Sequence, residues 1–297
     1  MSSLKELRTR ISSVRSTRKI TQAMKMVAAS KLRRAQERAE RARPYAAGME
    51  AMVARLAGTV APEDAPPLLV GTGSQKVSLL LVITADRGLC GAFNTGVVRA
   101  VRRKLAALAE DSVEAKIYCV GRKGYDMLRR THGGRIVGSR LLPPGRDLPF
   151  TEAAAVAEEI LGLFADGGFD LCTMHYNRFR SAMSQVVTES RIVPRAAPES
   201  EAPKAPTAAP VVGAMHEFEP GEDELLAELL PRNLAVQIHG AFLESAAGEH
   251  GARMTAMENA TRNAGDMIGR LELSYNRQRQ AAITKELIEI ISGSEAL

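Results

Sequence analysis

Apolar side chains at the start of the chain recur at helical spacing. Leu4, Leu7, Ile11 and Val14 step by three, four and three, and the stripe drifts on through Ile20, Met24, Val27 and Leu32 into Ala35, Ala39 and Ala42. This heptad-like spacing predicts one long helix over Leu4 to Met52. Pro44 interrupts it, where a fixed φ and a missing N–H kink helices. At the other end Leu234, Ile238 and Phe242, then Met257, Ala260, Ala264, Met267, Leu271 and Ser274, predict a second long helix over Arg232 to Ile291. Its seam turns polar around Gln278 and apolar again at Ile283, Leu287 and Ile291. At about 1.5 Å per residue this helix is on the order of 90 Å long, more than most compact domains are wide. One end is therefore expected to project, with an apolar tip that needs a protein sleeve. A long helix cannot bury its stripe alone. Each terminal helix finds its cheapest partner in the other, as an antiparallel coiled coil.

The middle has another texture. Thr59 to Gln75 is a Pro- and Gly-containing connection. Val77 to Thr84, Lys116 to Gly121, Asp170 to Tyr176 and Gln185 to Val193 read as strands. Asn94 to Ala109, Lys123 to Arg130 and Thr151 to Phe164 read as helices between them. The alternation predicts an α/β, Rossmann-like domain with a mostly parallel sheet. Pro194 to Ala214 holds five prolines and reads as an exposed loop, followed by a short acidic helix over Glu222 to Leu230 that Pro231 stops or kinks. The expected division is 1–58, 76–193, 194–220 and 221–297.

Charge sharpens this picture. Met1 to Arg43 carries 13 Lys or Arg against 3 Glu, a net of +10, and the remaining 27 basic and 31 acidic residues give −4. A basic helix implies an acidic partner: nucleic acid, anionic lipid or an acidic protein surface. Aromatics are 4% and Trp is absent, which fits seams of Leu, Ile, Met and Ala. Cys90, Cys119 and Cys172 lie in or beside strand-like strings, without metal-ligand spacing, and read as reduced core thiols. No apolar run approaches the roughly 18 residues of a membrane span. The helical pattern runs past any plausible cleavage point, so the Arg- and Ser-rich start is not read as a transit peptide.

Little in the chain looks catalytic. Gly71, Gly73 and Lys76 lack phosphate-loop spacing. Gly88 and Gly91 stand between a strand and a helix without the full dinucleotide fingerprint. Asp86 and Arg87 lie at a strand's C-terminal end, where α/β sheets bind ligands, and read better as an ion pair pinning the loop. Cys90 lacks a locally placed His to activate it, and His175 reads as structural. No cofactor, metal or catalytic residue is expected. Two rival readings are a Rossmann-like enzyme with added helices and a basic coiled-coil nucleic-acid binder. The absence of aromatics among the first helix's charges weighs against single-strand stacking.

Four strings carry a resemblance: RISSVRSTRKITQAMKMVAASKLRRAQ from Arg10 to Gln36, TADRGLCGAFN from Thr84 to Asn94, ARMTAMENATRNAGDMIGRLELSYNRQRQAAITKEL from Ala252 to Leu287, and ITKELIEIISGSEAL from Ile283 to Leu297. They resemble the γ subunit of F-type ATP synthases. Gly293–Ser294 stands where that family has Gly-Ala. The resemblance implies a non-catalytic rotor: an axle in a ring of three α and three β subunits, with its foot on the membrane c-ring and an ε subunit beside it. It places the chain on the cytoplasmic face of a bacterial inner membrane, as a peripheral subunit. It implies contacts to the ring from Met24, Lys25, Arg279, Gln280, Thr284 and Glu286. The basic helix adds Arg33 and Arg34, and Arg253 joins them, as partners for acidic β loops. Phe218 and Glu219 match the family's c-ring contact region.

Overall fold

The computed structural model describes residues 3–58, 60, 65–142, 149–195 and 221–295. The chain divides into two compact units, 1–30 with 253–297, and 31–252.

The larger unit is built on a five-stranded sheet. Helix α1 (Leu4–Ala57) leads through a single turn, α2 (Pro67–Val70), into β1 (Val77–Ile83). Then follow α3 (Phe93–Glu110), β2 (Glu114–Val120), α4 (Arg122–His132), β3 (Ile136–Arg140), α5 (Phe150–Ala165), β4 (Leu171–Phe179), β5 (Gln185–Val193) and α6 (Glu222–Glu295). The strand order is β3-β2-β1-β4-β5, with every pair parallel except β4–β5. The sheet is thus the mostly parallel one expected. Its central strand is apolar on both faces, as a sheet covered on both sides requires. Leu79, Leu81 and Ile83 of β1 meet Val156 and Ile160 of α5 and Leu234, Ile238 and Phe242 of α6. Leu80 and Val82 face the other way, onto Val97, Val101 and Leu105 of α3 and Leu128 of α4.

Three expectations shift. Strand β3, which carries only two β-branched residues before Gly138, was absent from the sequence pattern. It is tied to α5 by Arg140, whose guanidinium donates to Glu152 at 3.0 Å and Glu159 at 2.9 Å. The acidic segment over Glu222 to Leu230 is not a separate helix: α6 runs unbroken through Pro231, and Leu226 and Leu230 pack on Met49, Val53 and Leu56 of α1. Pro44 likewise lies inside a continuous α1. An interior proline costs about 3 kcal/mol; burial of several Leu and Val side chains at 1.5–3 kcal/mol each outweighs it beside Pro231. The segment over Pro194 to Ala214 falls almost wholly outside the described residues.

The crevice at the switch point of the sheet, between the C-terminal ends of β1 and β4, is where such sheets hold ligands. Here α6 lies in it. A Cβ on Gly248 would stand 3.1 Å from the Phe93 ring, and one on Gly251 would stand 3.2 Å from the Ala182 backbone. Ala252 packs with Ala85, Cys90 and Phe93, and Asn177 donates to the Phe93 carbonyl at 3.0 Å. Asp86 accepts from the Arg122 N–H at 2.8 Å, so its carboxylate pins the loop through backbone rather than through Arg87. All three cysteines are buried; burial pushes the Cys119 thiol up to about 12.

His175 is 1% exposed on β4, its Nδ1 has no hydrogen-bond partner, and Thr173 Oγ1 lies 3.4 Å from its Nε2. Burial lowers its pKa from 6.5 to about 4; Glu189 opposes that and Lys104 adds to it. The folded value lies below the unfolded one. As pH falls from 6.5, the unfolded chain takes up a proton that the folded chain refuses, until both bind it near pH 4. The loss across that window is ~3 kcal/mol. Thermal unfolding measured from pH 7 to pH 4 should show this slope in the parent, flattened in His175→Gln. Equal slopes in the two proteins would exclude His175 as its source.

Candidate subunit interface

The smaller unit is an antiparallel pair made from the first turns of α1 and the last of α6. Lys25 Nζ donates to Glu258 Oε1 at 2.8 Å. Thr261 Oγ1 lies 2.7 Å from Thr21 Oγ1, whose own hydroxyl donates to the Arg18 carbonyl at 3.0 Å. Arg15 pairs with Glu272 further along. As the α1 number falls the α6 number rises, which fixes the direction.

Within the smaller unit the buried positions of α1 are Leu7, Ile11, Thr21 and Ala28. Ile20 and Val27, expected in the seam, are 59% and 57% exposed. The heptad does not drift; it holds register through Arg18, Thr21 and Lys25, so polar residues take seam positions and are bonded there. On α6 the seam runs Met257, Ala264 and Ile268, and Met267 is exposed rather than buried. With Val14 and Leu271 it lines an open groove flanked by Arg10 and Arg270.

Lys25 opposite Glu258 and Thr21 opposite Thr261 bring Leu4 level with the turn around Arg279. Beyond that turn no other helix among the described residues lies beside α6, yet it remains apolar. Ile283, Leu287, Ile288, Ile290 and Ile291 are 48–67% exposed. A contiguous apolar surface of this kind marks a protein-binding site.

The residues singled out from sequence fall into separate groups. Arg279, Gln280, Thr284 and Glu286 are exposed along that last stretch, where the Thr284 hydroxyl donates to the Gln280 carbonyl at 2.9 Å. Met24 and Arg253 are partly buried. Lys25 is held by Glu258, so its ammonium is engaged inside the pair. Arg33 and Arg34 are exposed in the other unit, with Arg33 paired to Glu37 on its own helix at 3.2 Å. Phe218 and Glu219 lie outside the described residues. Sequence reasoning missed the Thr21–Thr261 and Arg15–Glu272 contacts. The signal was the unbroken heptad, which places Thr21 in the seam. Among the described residues no helix is long and apolar enough to cross a membrane.

A family model described as ATP synthase matches residues 3–297. The chain is 56% identical to the ATP synthase gamma chain of Granulibacter bethesdensis and 53% identical to that of Chelativorans sp., each match covering 100% of both sequences. Among solved structures it resembles a chain from the central stalk and c-ring of the Tetrahymena thermophila mitochondrial ATP synthase. The identity there is 27% and the TM-score 0.61, over 81% of this chain and 99% of that one. A rotor chain of the Euglena gracilis mitochondrial ATP synthase shares the fold at 19% identity and a TM-score of 0.66, over 94% of this chain and 98% of that one. An exposed apolar helix end and matches that run the full length of both sequences point the same way: the chain belongs to the ATP synthase gamma-chain family, whose members are subunits of the central stalk.

Proposed function

We propose that this chain turns as the shaft of a bacterial F-type ATP synthase, coupling rotation of a membrane c-ring to ATP synthesis or hydrolysis in an α3β3 ring. The observation that carries the reading is the apolar end of α6, exposed beyond the reach of α1. A row of isoleucines and leucines in water costs free energy that a surrounding protein sleeve recovers. The α3β3 ring is that sleeve, and the catalytic sites are those of its β subunits. An asymmetric shaft touches only one of three equivalent subunits in a given way, so each β site meets a different surface. Moving a site from 1:99 to 99:1 takes about 5.5 kcal/mol of differential contact. Arg279, Gln280, Thr284 and Glu286, exposed beside the apolar row, supply polar contacts that discriminate one angular position from the next. Met24, Arg33, Arg34 and Arg253 add further contacts, the arginines toward acidic β loops. Lys25 acts by holding the helix pair. Phe218 and Glu219 meet the c-ring, with an ε subunit beside them, at the cytoplasmic face of the plasma membrane.

Expression of the chain together with α and β tests this. A stable α3β3γ complex with sustained ATPase activity is the expected result. Gln280→Leu should leave the isolated chain as stable as the parent and reduce that activity by about tenfold, the effect of one lost polar contact of about 1.4 kcal/mol. Failure to recover any complex would overturn the shaft reading. Full activity in the variant would remove Gln280 alone.

A further inference from the structure

Positive charge outside α1 is concentrated on one face of the sheet domain. From Phe93 to Arg135 there are ten Lys or Arg and four Asp or Glu, a net of +6. Residues 44–297 as a whole are net −4, so the rest of that stretch of sequence is net −10. Averaging along the sequence hides the island; the fold collects it. Helices α3 and α4 lie side by side, with Arg102 Nη2 donating to the Met127 carbonyl at 3.2 Å. Arg99, Arg102 and Arg103 are exposed on α3, Arg129 and Arg130 on α4, and Arg135 just after it. Lys104 is neutralised by Glu189 at 2.6 Å, and Arg122 is paired with Asp126 at 3.8 Å. Arg129 stacks on Tyr125, 5.8 Å from its ring centre. Among the described residues Arg99, Arg103, Arg130 and Arg135 have no carboxylate partner. The field is felt locally: burial, then Arg135 and Arg102, hold the His132 imidazole below its usual range.

We propose that the α3–α4 face is a docking surface for a short acidic polypeptide segment, gripped through its carboxylates. Guanidinium groups take carboxylates in two-point contacts, and here they outnumber the ammonium groups. The surroundings select the class of partner. No large apolar side chain between Phe93 and Arg135 is exposed, so nothing enters a lipid surface. The one exposed-side aromatic, Tyr125, is half-buried under Arg129 and offers no platform for a base. A long polyanion would overrun the patch and meet the exposed carboxylates of Glu110, Asp111 and Glu114 where α3 ends and β2 begins. A peptide of a few acidic residues covers the arginines and stops there. Charge pairing of this kind governs encounter and orientation, and it weakens as salt rises.

Labelled decaglutamate carrying a photo-crosslinker serves as the probe, with the full-length chain at low salt and anisotropy as the readout. A face variant combines Arg99→Gln, Arg103→Gln, Arg130→Gln and Arg135→Gln. A control combines Lys5→Gln, Arg8→Gln, Arg10→Gln and Lys19→Gln in α1, because α1 is itself basic. These side chains are exposed, and circular dichroism checks that both variants fold. The expected result is crosslinks on α3 and α4 in the parent and the control, and their loss in the face variant. Affinity at that site should drop by about tenfold or more in the face variant. Crosslinks confined to α1, or unchanged in the face variant, overturn the proposal. So does a larger loss of affinity, on the same substitutions, for a short DNA duplex or for phosphatidylserine vesicles than for the peptide.

Discussion

Replacing Gly121 with alanine should leave the sheet domain unable to hold its fold. Gly121 follows β2 at φ +94, a left-handed conformation that a side chain resists. A Cβ there would stand 2.0 Å from the Thr84 carbonyl oxygen and 2.7 Å from its carbon. Neither atom has room to yield. The Thr84 N–H donates to the Val120 carbonyl at 2.9 Å, and its hydroxyl receives the Gly124 N–H at 2.8 Å. Thr84 itself is 2% exposed, between the two central strands. Overpacking and an imposed positive φ each cost about 1–3 kcal/mol. Together they remove much of the 5–15 kcal/mol that holds a typical domain. Urea unfolding followed by circular dichroism measures the effect. Gly162→Ala is the control: it lies inside α5 with nothing within 4 Å, and should gain about 0.5–1 kcal/mol from helix propensity. A Gly121→Ala protein with the parent's midpoint would mean that the Thr84 backbone shifts to admit the methyl at little cost.

Lys25→Glu should be the most damaging single charge change in the helix pair. It sets two carboxylates against each other at a seam position where the parent has a 2.8 Å ion pair. The Lys25 hydrogen bond holds the Glu258 carboxyl below its usual range. The pair's contribution is therefore present above the ordinary carboxylate pKa and is lost as pH falls through the lowered value. Sustained ATPase of a complex with α and β should fall by about tenfold in Lys25→Glu, and similarly in Glu258→Lys. The swap of both should recover to within about twofold, as coupled contacting residues do. If the double variant is no better than the worse single one, Lys25 acts on a partner subunit instead.

The helix–sheet alternation was legible because strands and helices here differ in both period and length. β1 is a seven-residue run without a charge, and α3 presents Val97, Val101, Leu105 and Leu108 at helical steps. Strand β3 was not legible, because an edge strand needs little apolar content and Gly138 interrupts what it has. A Cβ at that glycine would stand 2.5 Å from the Tyr118 ring, a contact that no local pattern announces. The seam was half legible. Residue type favoured Ile20 and Val27, whereas strict spacing favours Thr21 and Ala28; spacing won because the partner helix fixes the angle. Pro231 misled for the opposite reason: a local breaker was overridden by packing on α1. The projecting apolar tip of α6 was legible from helix length and pattern, whereas its contact residues Arg279, Gln280, Thr284 and Glu286 were placed by resemblance alone. The arginine face needed three dimensions, since its members come from two helices separated by a strand.

The glycines of α6 at 248 and 251 carry one more consequence. In many sheets of this build the hollow above the strands receives a nucleotide; here it is upholstered by the protein's own backbone. A small molecule aimed at that hollow faces an incumbent that is part of a continuous helix. It would have to unseat structural backbone before it found any room, so a compound screen against this domain should return surface binders first.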